Sequence, residues 1–138
     1  MMIYVEPINR LIRGKKAVKG EKVEEKYFGG FCECGGIMYQ KSWFHHDGDS
    51  ILISECEKCW KNEFMNFNGR TKTGTKGKIQ VVERSDFRDF IRDLLSPSEF
   101  EAILSKSRGE NYNASALSRA KKKLEEMDLP FDEILTYI

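Results

Sequence analysis

The chain has 138 residues and carries 23 Lys and Arg against 22 Asp and Glu, which gives a formal net charge of +1. This size fits one compact domain or two very small ones, and the balanced charge offers no global argument for binding to nucleic acid or membranes. The first residues lack the apolar core of a secretory signal, and no apolar run approaches the ~20 residues of a membrane span, so we expect a cytoplasmic protein without membrane partners.

The N-terminal part of the chain is predicted to hold one strand and then a basic segment. Residues 2–8 have the apolar character of a strand that Pro7 ends or confines to a sheet edge. The segment that follows, up to Gly30, is rich in Lys, Glu and Gly. Charge runs of this kind are usually solvated, and the sequence leaves open a flexible arm or a long hairpin.

Residues 31–68 are predicted to form three antiparallel strands. Two β-rich segments flank the polar stretch HHDGDS, in which Asp47 and Gly48 are typical of a two-residue hairpin turn. A third, aromatic segment ends at Gly69. The pattern is that of a small meander of hairpins.

A polar stretch rich in Gly and Lys follows and is expected to be a loop. It lacks the residue order of a phosphate-binding loop, because Gly74 is followed by Thr75 and then Lys76. We therefore reject a nucleotide hydrolase. Residues 78–83 predict one further strand.

Beyond residue 83 the apolar spacing becomes helical. Residues 85–95 place apolar side chains at i, i+3, i+4 and i+7. Ser96, Pro97 and Glu99 form a capping box that predicts the start of a second helix. Asn113 is expected to cap a third helix, and a short helix closes the chain. The inward side of the third helix is predicted to consist of Leu117, Ala120, Leu124 and Met127.

The four cysteines of the chain form two close pairs, Cys32 with Cys34 and Cys56 with Cys59. In a reducing compartment such pairs are more typical of metal ligands than of disulfides, and four thiolates supply the tetrahedron of a structural Zn²⁺ site. Such a site has no open position for water, which argues against hydrolytic catalysis. A redox dithiol and buried inert thiols remain as alternatives. The one-residue spacer of the first pair predicts a tighter turn than usual.

Two histidines lie between the cysteine pairs and could in principle bind a metal. His45 and His46 stand beside the expected hairpin turn, far along the strands from the cysteines. We expect them to be exposed loop residues. A dyad of His45 with Asp47 is a weak candidate for catalysis, and the sequence as a whole leans against an enzyme.

The residues around the cysteines resemble the zinc ribbons of the transcription machinery, found in transcript-cleavage factors and small RNA polymerase subunits. The resemblance covers about 35 residues and rests on these matches: Phe31-Cys32, Cys34-Gly35, Ile37 to Tyr39, Ile51 to Ile53, and Cys56 to Trp60. It implies a three-stranded antiparallel ribbon around Zn²⁺. The first pair is one residue short, Trp60 replaces a Gly, and the acidic catalytic hairpin of the cleavage factors has no counterpart, so their activity is not implied.

The third predicted helix is similar to the recognition helix of winged-helix regulators. This likeness implies a helix-turn-helix whose exposed side touches nucleic acid. The implied contacts to bases are Asn113, Ser115, Ser118, Arg119 and Lys122, and those to phosphates are Lys121 and Lys123. An ordinary amphipathic helix with a solvated basic side is the alternative.

These observations predict an α+β protein with a three-stranded antiparallel zinc ribbon and a C-terminal bundle of three to four short helices. The expected segments are an N-terminal strand and basic arm (1–30), the ribbon and following strand (31–82) and a helical domain (83–138).

The expected function is binding of DNA or RNA, in connection with transcription. The candidate contacts are Arg70, Lys72, Lys76, Lys78, Ser118, Arg119, Lys121 and Lys122, with Trp43, Phe44 and Trp60 as aromatics that could stack on bases. The alternative is a protein-interaction module or accessory subunit that docks on a larger enzyme complex and has no catalysis of its own.

Overall fold

The computed structural model describes residues 2–68 and 71–138, and for residues 71–75 it describes the backbone alone. Within these residues, nine strands precede four helices. The strands are β1 (Met2–Val5), β2 (Arg10–Arg13), β3 (Lys16–Lys22), β4 (Phe28–Phe31), β5 (Ile37–His46), β6 (Asp49–Cys56), β7 (Asn62–Asn68), β8 (Thr71–Lys78) and β9 (Gln80–Val82). The helices are α1 (Arg84–Leu94), α2 (Pro97–Ser107), α3 (Ala114–Glu126) and α4 (Phe131–Tyr137).

The strands form one sheet that curls into a nearly closed barrel. Its order is β8-β7-β6-β5-β3-β2-β1-β9, with β4 paired to β5 beside this path. The pairs are antiparallel except for β1 with β9, which is parallel. The two ends of the path, β8 and β9, are separated in the chain by Ile79 alone. A sheet whose first and last strands are joined by one residue has to bend round until its edges approach each other.

The predicted three-stranded ribbon is therefore wrong. The hairpins of β5, β6 and β7 exist, and the turn at Asp47 and Gly48 has the positive φ angles (48° and 83°) that the sequence predicts. However, β5 also pairs with β3 and β7 also pairs with β8. These extra pairings carry the ribbon strands into a larger sheet.

The segment after β1 is a hairpin, not a flexible arm. β2 and β3 pair antiparallel around a turn in which Gly14 adopts a φ of 65°. Leu11 and Ile12 are buried on opposite faces, Leu11 inside the barrel and Ile12 against the helices. The many lysines of this segment are typical of a solvated chain. Burial of the two successive apolar residues nevertheless places the hairpin between the barrel core and the core under the helices.

The expected loop after Gly69 is also wrong, because it contains β8. Thr71–Lys78 pairs antiparallel with β7, and Gly77 lies so close to Phe64 that a Cβ there would meet its ring at 3.2 Å. Threonine is favoured in strands, and a glycine in a strand often marks a close approach of this kind.

The interior of the barrel is a small apolar core. It consists of Tyr4, Leu11, Phe44, Ile51 and Ile53. The rings of Tyr4 and Phe44 meet edge to face with centroids 5.8 Å apart. β3 can approach this core because residue 20 is Gly, where a Cβ would stand 2.4 Å from the ring of Phe44.

The four helices cover the outer side of β1, β2, β3 and β9. A second core joins Val5, Ile12 and Val82 of the barrel to Ile91 and Leu124 of the helices. The predicted capping box of α2 and the Asn113 cap of α3 are confirmed. In the described residues, no helix combines the length and apolar character needed to cross a membrane.

Candidate metal centre and adjoining sheet face

The four cysteines converge, as the sequence predicts. Their Sγ atoms all lie within 4.8 Å of one another. Cys32 and Cys59 are 3.6 Å apart, and Cys34 and Cys56 are 3.4 Å apart, across the two turns. A tetrahedron of sulfurs at ~2.3 Å from a Zn²⁺ ion has edges of about 3.8 Å. The cluster therefore has the dimensions of a four-thiolate metal site, and none of the cysteines is in a disulfide.

The first cysteine turn is tight because its spacer has one residue. The N–H of Cys32 donates to the carbonyl of Gly36, and the N–H of Gly35 donates to the carbonyl of Cys32. Gly35 adopts a φ of 88°. A Cβ at Gly36 would stand 2.6 Å from the sulfur of Cys56, so only glycine allows the two turns to meet.

The second cysteine turn supplies N–H groups to sulfur. The N–H groups of Cys59 and Lys58 donate to Sγ of Cys56 at 3.4 and 3.3 Å, and they lower the pKa of that thiol to about 6. For Cys34, the N–H of Gly36 lowers the pKa, but the neighbouring thiols and burial outweigh it and raise the pKa to about 12. A divalent cation bound between the sulfurs would stabilise the thiolate form of its ligands.

The cysteine cluster lies at one end of the sheet and the histidines at the other. Met38 of β5 packs against Cys32 and Cys56 in a small core of its own. At the far end of β5, His45 is hydrogen-bonded to Ser50 at 2.7 Å and His46 lies 3.0 Å from Asp47. The histidines thus stand beside the hairpin turn as predicted, and a bound metal would fasten the opposite end of the strands.

The outer face of β5, β6, β7 and β8 is an ordered array of side chains. Ile51 and Ile53 of β6 point into the barrel, so the residues that alternate with them, the buried Leu52 and Ser54 among them, lie on the opposite face of the sheet. Directly opposite residues of antiparallel strands share a face. The strand registers therefore define three rows of paired positions: His45-Ser50-Phe67-Lys72, Trp43-Leu52-Met65-Lys76 and Gln40-Ser54-Glu63-Lys78. We call this surface the row face.

Trp43, the β5 residue of the middle row, is held in place by its neighbours. Its Nε1 donates to Oε1 of Gln40 at 3.2 Å, and Nε2 of Gln40 donates to the carbonyl of Phe28. The indole lies parallel to the ring of His45 at 6.1 Å and touches Phe67 at 5.6 Å. Trp43 and Phe67 are half-buried, and each presents part of its ring to solvent.

The basic residues predicted on the loop occupy the edge of the row face. Lys76 and Lys78 are exposed on β8, and Lys76 Nζ lies 3.5 Å from the carboxylate of Glu63. Lys72 is known by its backbone position opposite Phe67. Arg70 lies outside the described residues. Phe67 lies on the row face but was not among the contacts predicted from sequence. The signal for it was its odd separation from Phe64, an inward residue of the same strand, which places the two rings on opposite faces.

The basic residues of α3 are arranged differently. Nε of Arg119 lies 3.6 Å from the buried carboxylate of Glu99, and Lys121 Nζ lies 3.9 Å from Glu125. Ser118 and Lys122 are exposed. α3 packs on α2 and α4, while β8 pairs with β7, so the two sets of predicted contacts belong to different parts of the fold.

The comparisons with known proteins match both halves of this architecture. An AF0631-like N-terminal beta-barrel domain matches residues 1–81, and an AF0631-like C-terminal four-helix domain matches residues 84–137. The chain belongs to the AF0631-like family. It is also 44% identical over 138 residues to an uncharacterized protein of Archaeoglobus fulgidus, an alignment that covers 100% of this chain and 99% of that protein. No solved structure matches the chain.

Membership of the AF0631-like family overturns both resemblances drawn from sequence. The zinc-ribbon resemblance is wrong, because the cysteines belong to a barrel domain that extends well beyond the ribbon strands. The helix-turn-helix resemblance is wrong, because α3 is part of a four-helix domain in which Arg119 and Lys123 contact Glu99 of α2. Both likenesses arose from short local patterns that different folds share.

Proposed function

We propose that this AF0631-like protein binds single-stranded nucleic acid on the row face, with a structural Zn²⁺ ion at the four cysteines. The observation that carries the proposal is the alignment of half-buried aromatic rings on β5 and β7 with lysines on β8. Aromatic rings stack on bases at about 1–3 kcal/mol each, and basic residues beside them neutralise phosphates. Single strands are the preferred target because stacking on these rings needs unpaired bases.

The distribution of charge along the chain supports binding of nucleic acid, although the net charge of the whole chain is only +1. Residues 61–78 contain five Lys and Arg and a single acidic residue, Glu63. The barrel half, residues 1–81, contains 14 Lys and Arg against 10 Asp and Glu, whereas residues 84–138 contain 9 against 11. The positive charge is therefore concentrated on the domain that carries the row face.

Zinc is the metal that the site favours. Four thiolates in a tetrahedral arrangement suit Zn²⁺ or an iron–sulfur centre, and a four-coordinate structural site is typical of Zn²⁺. The free thiols also fit a reducing compartment such as the cytoplasm, where they stay available to a metal. In this role the metal fastens the start of β5 to the end of β6 and so supports the register on which the row face depends.

A direct test is fluorescence anisotropy with labelled single-stranded RNA, single-stranded DNA and duplex DNA at several salt concentrations. We expect binding of the single strands that weakens as salt rises. Duplex binding that equals or exceeds binding of both single strands would contradict the proposal, and so would the absence of binding at low salt. Elemental analysis of the purified protein should find about one Zn²⁺ per chain.

A second candidate function is protein docking at the metal end of the barrel. Three aromatic side chains stand exposed there: Phe28, Phe31 and Trp60, with exposed fractions of 56%, 70% and 69%. The rings of Phe28 and Phe31 contact each other with centroids 5.1 Å apart. Exposed apolar groups of this size are typical of interaction sites. Co-purification of one stoichiometric protein without nucleic acid would favour this role.

A further inference from the structure

A shallow, open depression adjoins the row face at Trp43, and its lining combines aromatic and charged side chains. The site has a volume of about 370 Å³, within the ~300–1,000 Å³ range of ligand pockets. Six of the side chains that line it are Lys22, Glu24, Glu25, Tyr27, Gln40 and Trp43. We call it the Trp43 pocket. Two aromatic rings and three charged groups thus meet at a place where a bound strand would pass.

The Trp43 pocket is held to the sheet by backbone hydrogen bonds. The N–H of Val23 donates to the carbonyl of Lys41 at 3.0 Å, and the N–H of Gln40 donates to the carbonyl of Tyr27 at 2.9 Å. The N–H of Tyr27 donates to the carbonyl of Glu25. Both ends of the segment 23–27 are therefore hydrogen-bonded to β5, and Tyr27 also closes a local turn with Glu25. These bonds fix the backbone from which the side chains of the pocket project.

The charged groups of the Trp43 pocket are available to a ligand. Gln40 is already engaged, since it accepts from Trp43 and donates to Phe28. Among the described residues, no ion pair involves Lys22, Glu24 or Glu25. An ionised carboxylate only accepts hydrogen bonds and an ammonium only donates them. The pocket therefore offers acceptors beside a donor.

We propose that the Trp43 pocket accepts an unpaired guanine base. Guanine carries two neighbouring donors, N1–H and the N2 amino group, next to the acceptor O6, and these groups are complementary to the carboxylates of Glu24 and Glu25 and the ammonium of Lys22 in the pocket lining. Adenine, cytosine and uracil each present at most one donor group on this edge. Trp43 and Tyr27 supply ring surface for the flat base, as aromatic side chains do in recognition of unpaired RNA bases. The inference rests on the proposed binding of single strands and adds a base preference to it.

The test uses labelled ten-residue oligouridines that carry guanosine, inosine, adenosine or uridine at one central position. We expect the guanosine strand to bind about tenfold tighter than the uridine or adenosine strands, since a good two-point contact separates bases by about 1–3 kcal/mol. Inosine lacks the N2 amino group and should fall between them. Equal binding of all four strands would overturn the base preference and leave the proposed function intact, whereas no binding of any strand would overturn both.

Paired variants identify the groups responsible. E24Q/E25Q should abolish the preference for guanosine while binding of the uridine strand stays the same or strengthens, because two negative charges are removed. E101Q/E110Q makes the same charge change at exposed positions of the helical domain and should keep the preference. A preference that survives in E24Q/E25Q, with circular dichroism showing the native fold, would exclude this pocket as its source.

Discussion

Lys123 donates from Nζ to the buried Oε1 of Glu99 at 2.7 Å and so joins α3 to the N-terminal end of α2. The same carboxylate accepts the N–H of Ser96 in the capping box and lies 3.6 Å from Arg119. The basic side of α3, which resembled a DNA-reading surface in sequence, is in part a structural connection between helices.

The Glu99 contacts predict a stability that depends on pH. The ammonium of Lys123 and the N–H of Ser96 lower the pKa of Glu99 from 4.5 to about 2. A carboxyl group with a depressed folded-state pKa stabilises the fold above its unfolded pKa, and this stabilisation is lost as the pH falls from about 4.5 towards 2. Thermal unfolding from pH 7 to pH 2 should show a larger loss of stability for the native chain than for E99Q.

E99Q itself should be less stable at pH 7 by about 1.5–3 kcal/mol, the value of a hydrogen bond to a charged group. The control is E101Q, at an exposed position of the same helix, which should follow the native pH profile. Release of a metal in acid affects all three proteins equally and cancels in the comparison. If the stability of E99Q falls with pH in parallel with that of the native chain, the ionisation of Glu99 does not contribute to the pH dependence of stability.

Removal of the metal should loosen one end of the barrel without unfolding the whole chain. The barrel interior and the core under the helices contain many apolar residues far from the cysteines, whereas Cys32, Met38 and Cys56 form a separate small cluster. Chelation should therefore lower the Tm by several degrees while far-UV circular dichroism remains largely native. Hydrogen exchange should accelerate in the first residues of β5 and the last residues of β6. A metal-free protein with the same Tm and exchange pattern would contradict a structural metal.

Gly36 provides a test of the cysteine geometry that leaves all four sulfurs in place. In G36A the new Cβ would stand 2.6 Å from Sγ of Cys56 and 2.8 Å from Cβ of Lys58, so the two turns must separate. We expect at least a tenfold loss of Zn²⁺ affinity, measured by competition with a chromogenic chelator. G109A is the control, because Gly109 has a φ of 70° but no atom within 4 Å of its Cβ position. It should cost about 1 kcal/mol of stability and leave metal affinity unchanged.

Charge-matched double variants distinguish the row face from α3 as the nucleic-acid surface. K76A/K78A should weaken binding of single strands and reduce the slope of log K against log salt by about 1.4, since each lost contact to a single strand accounts for ~0.7. K121A/K122A removes the same charge from α3 and should change neither quantity appreciably. The reverse result would place the interface on the helical domain.

The aromatic residues of the row face should contribute to the affinity for single strands through stacking, which salt does not screen. F67A should lower affinity by about 1–3 kcal/mol and leave the salt slope unchanged, because stacking involves no counterion release. F31A is a suitable control, since Phe31 is 70% exposed at the cysteine end of the sheet and is not part of the row face. If F31A weakens binding and F67A does not, nucleic acid contacts the metal end instead.

Several features of the molecule were determined by the sequence on its own. The hairpin turn at Asp47 and Gly48, the capping box at Ser96 and the cap at Asn113 each depend on residues that are neighbours in the chain. Turn and cap chemistry is local, so it can be read without knowing the fold. The convergence of the two cysteine pairs was also predictable, because cysteines at such spacings are typical of metal ligands.

The tertiary structure alone decided the barrel and the row face. Closure depends on pairings between distant segments, such as β1 with β9 and β3 with β5, and no local pattern specifies which strand is the neighbour. The basic segment that contains β2 and β3 shows why local patterns are insufficient. Lysines dominate its composition, but burial of Leu11 in the barrel and of Ile12 under the helices determines where the hairpin lies. The lysines of β8 come to lie on the same face of the sheet as Trp43 and Phe67 only through the register of four strands. Side-chain alternation gives each strand two faces, but which face meets the interior is fixed only when the whole sheet has bent around its core.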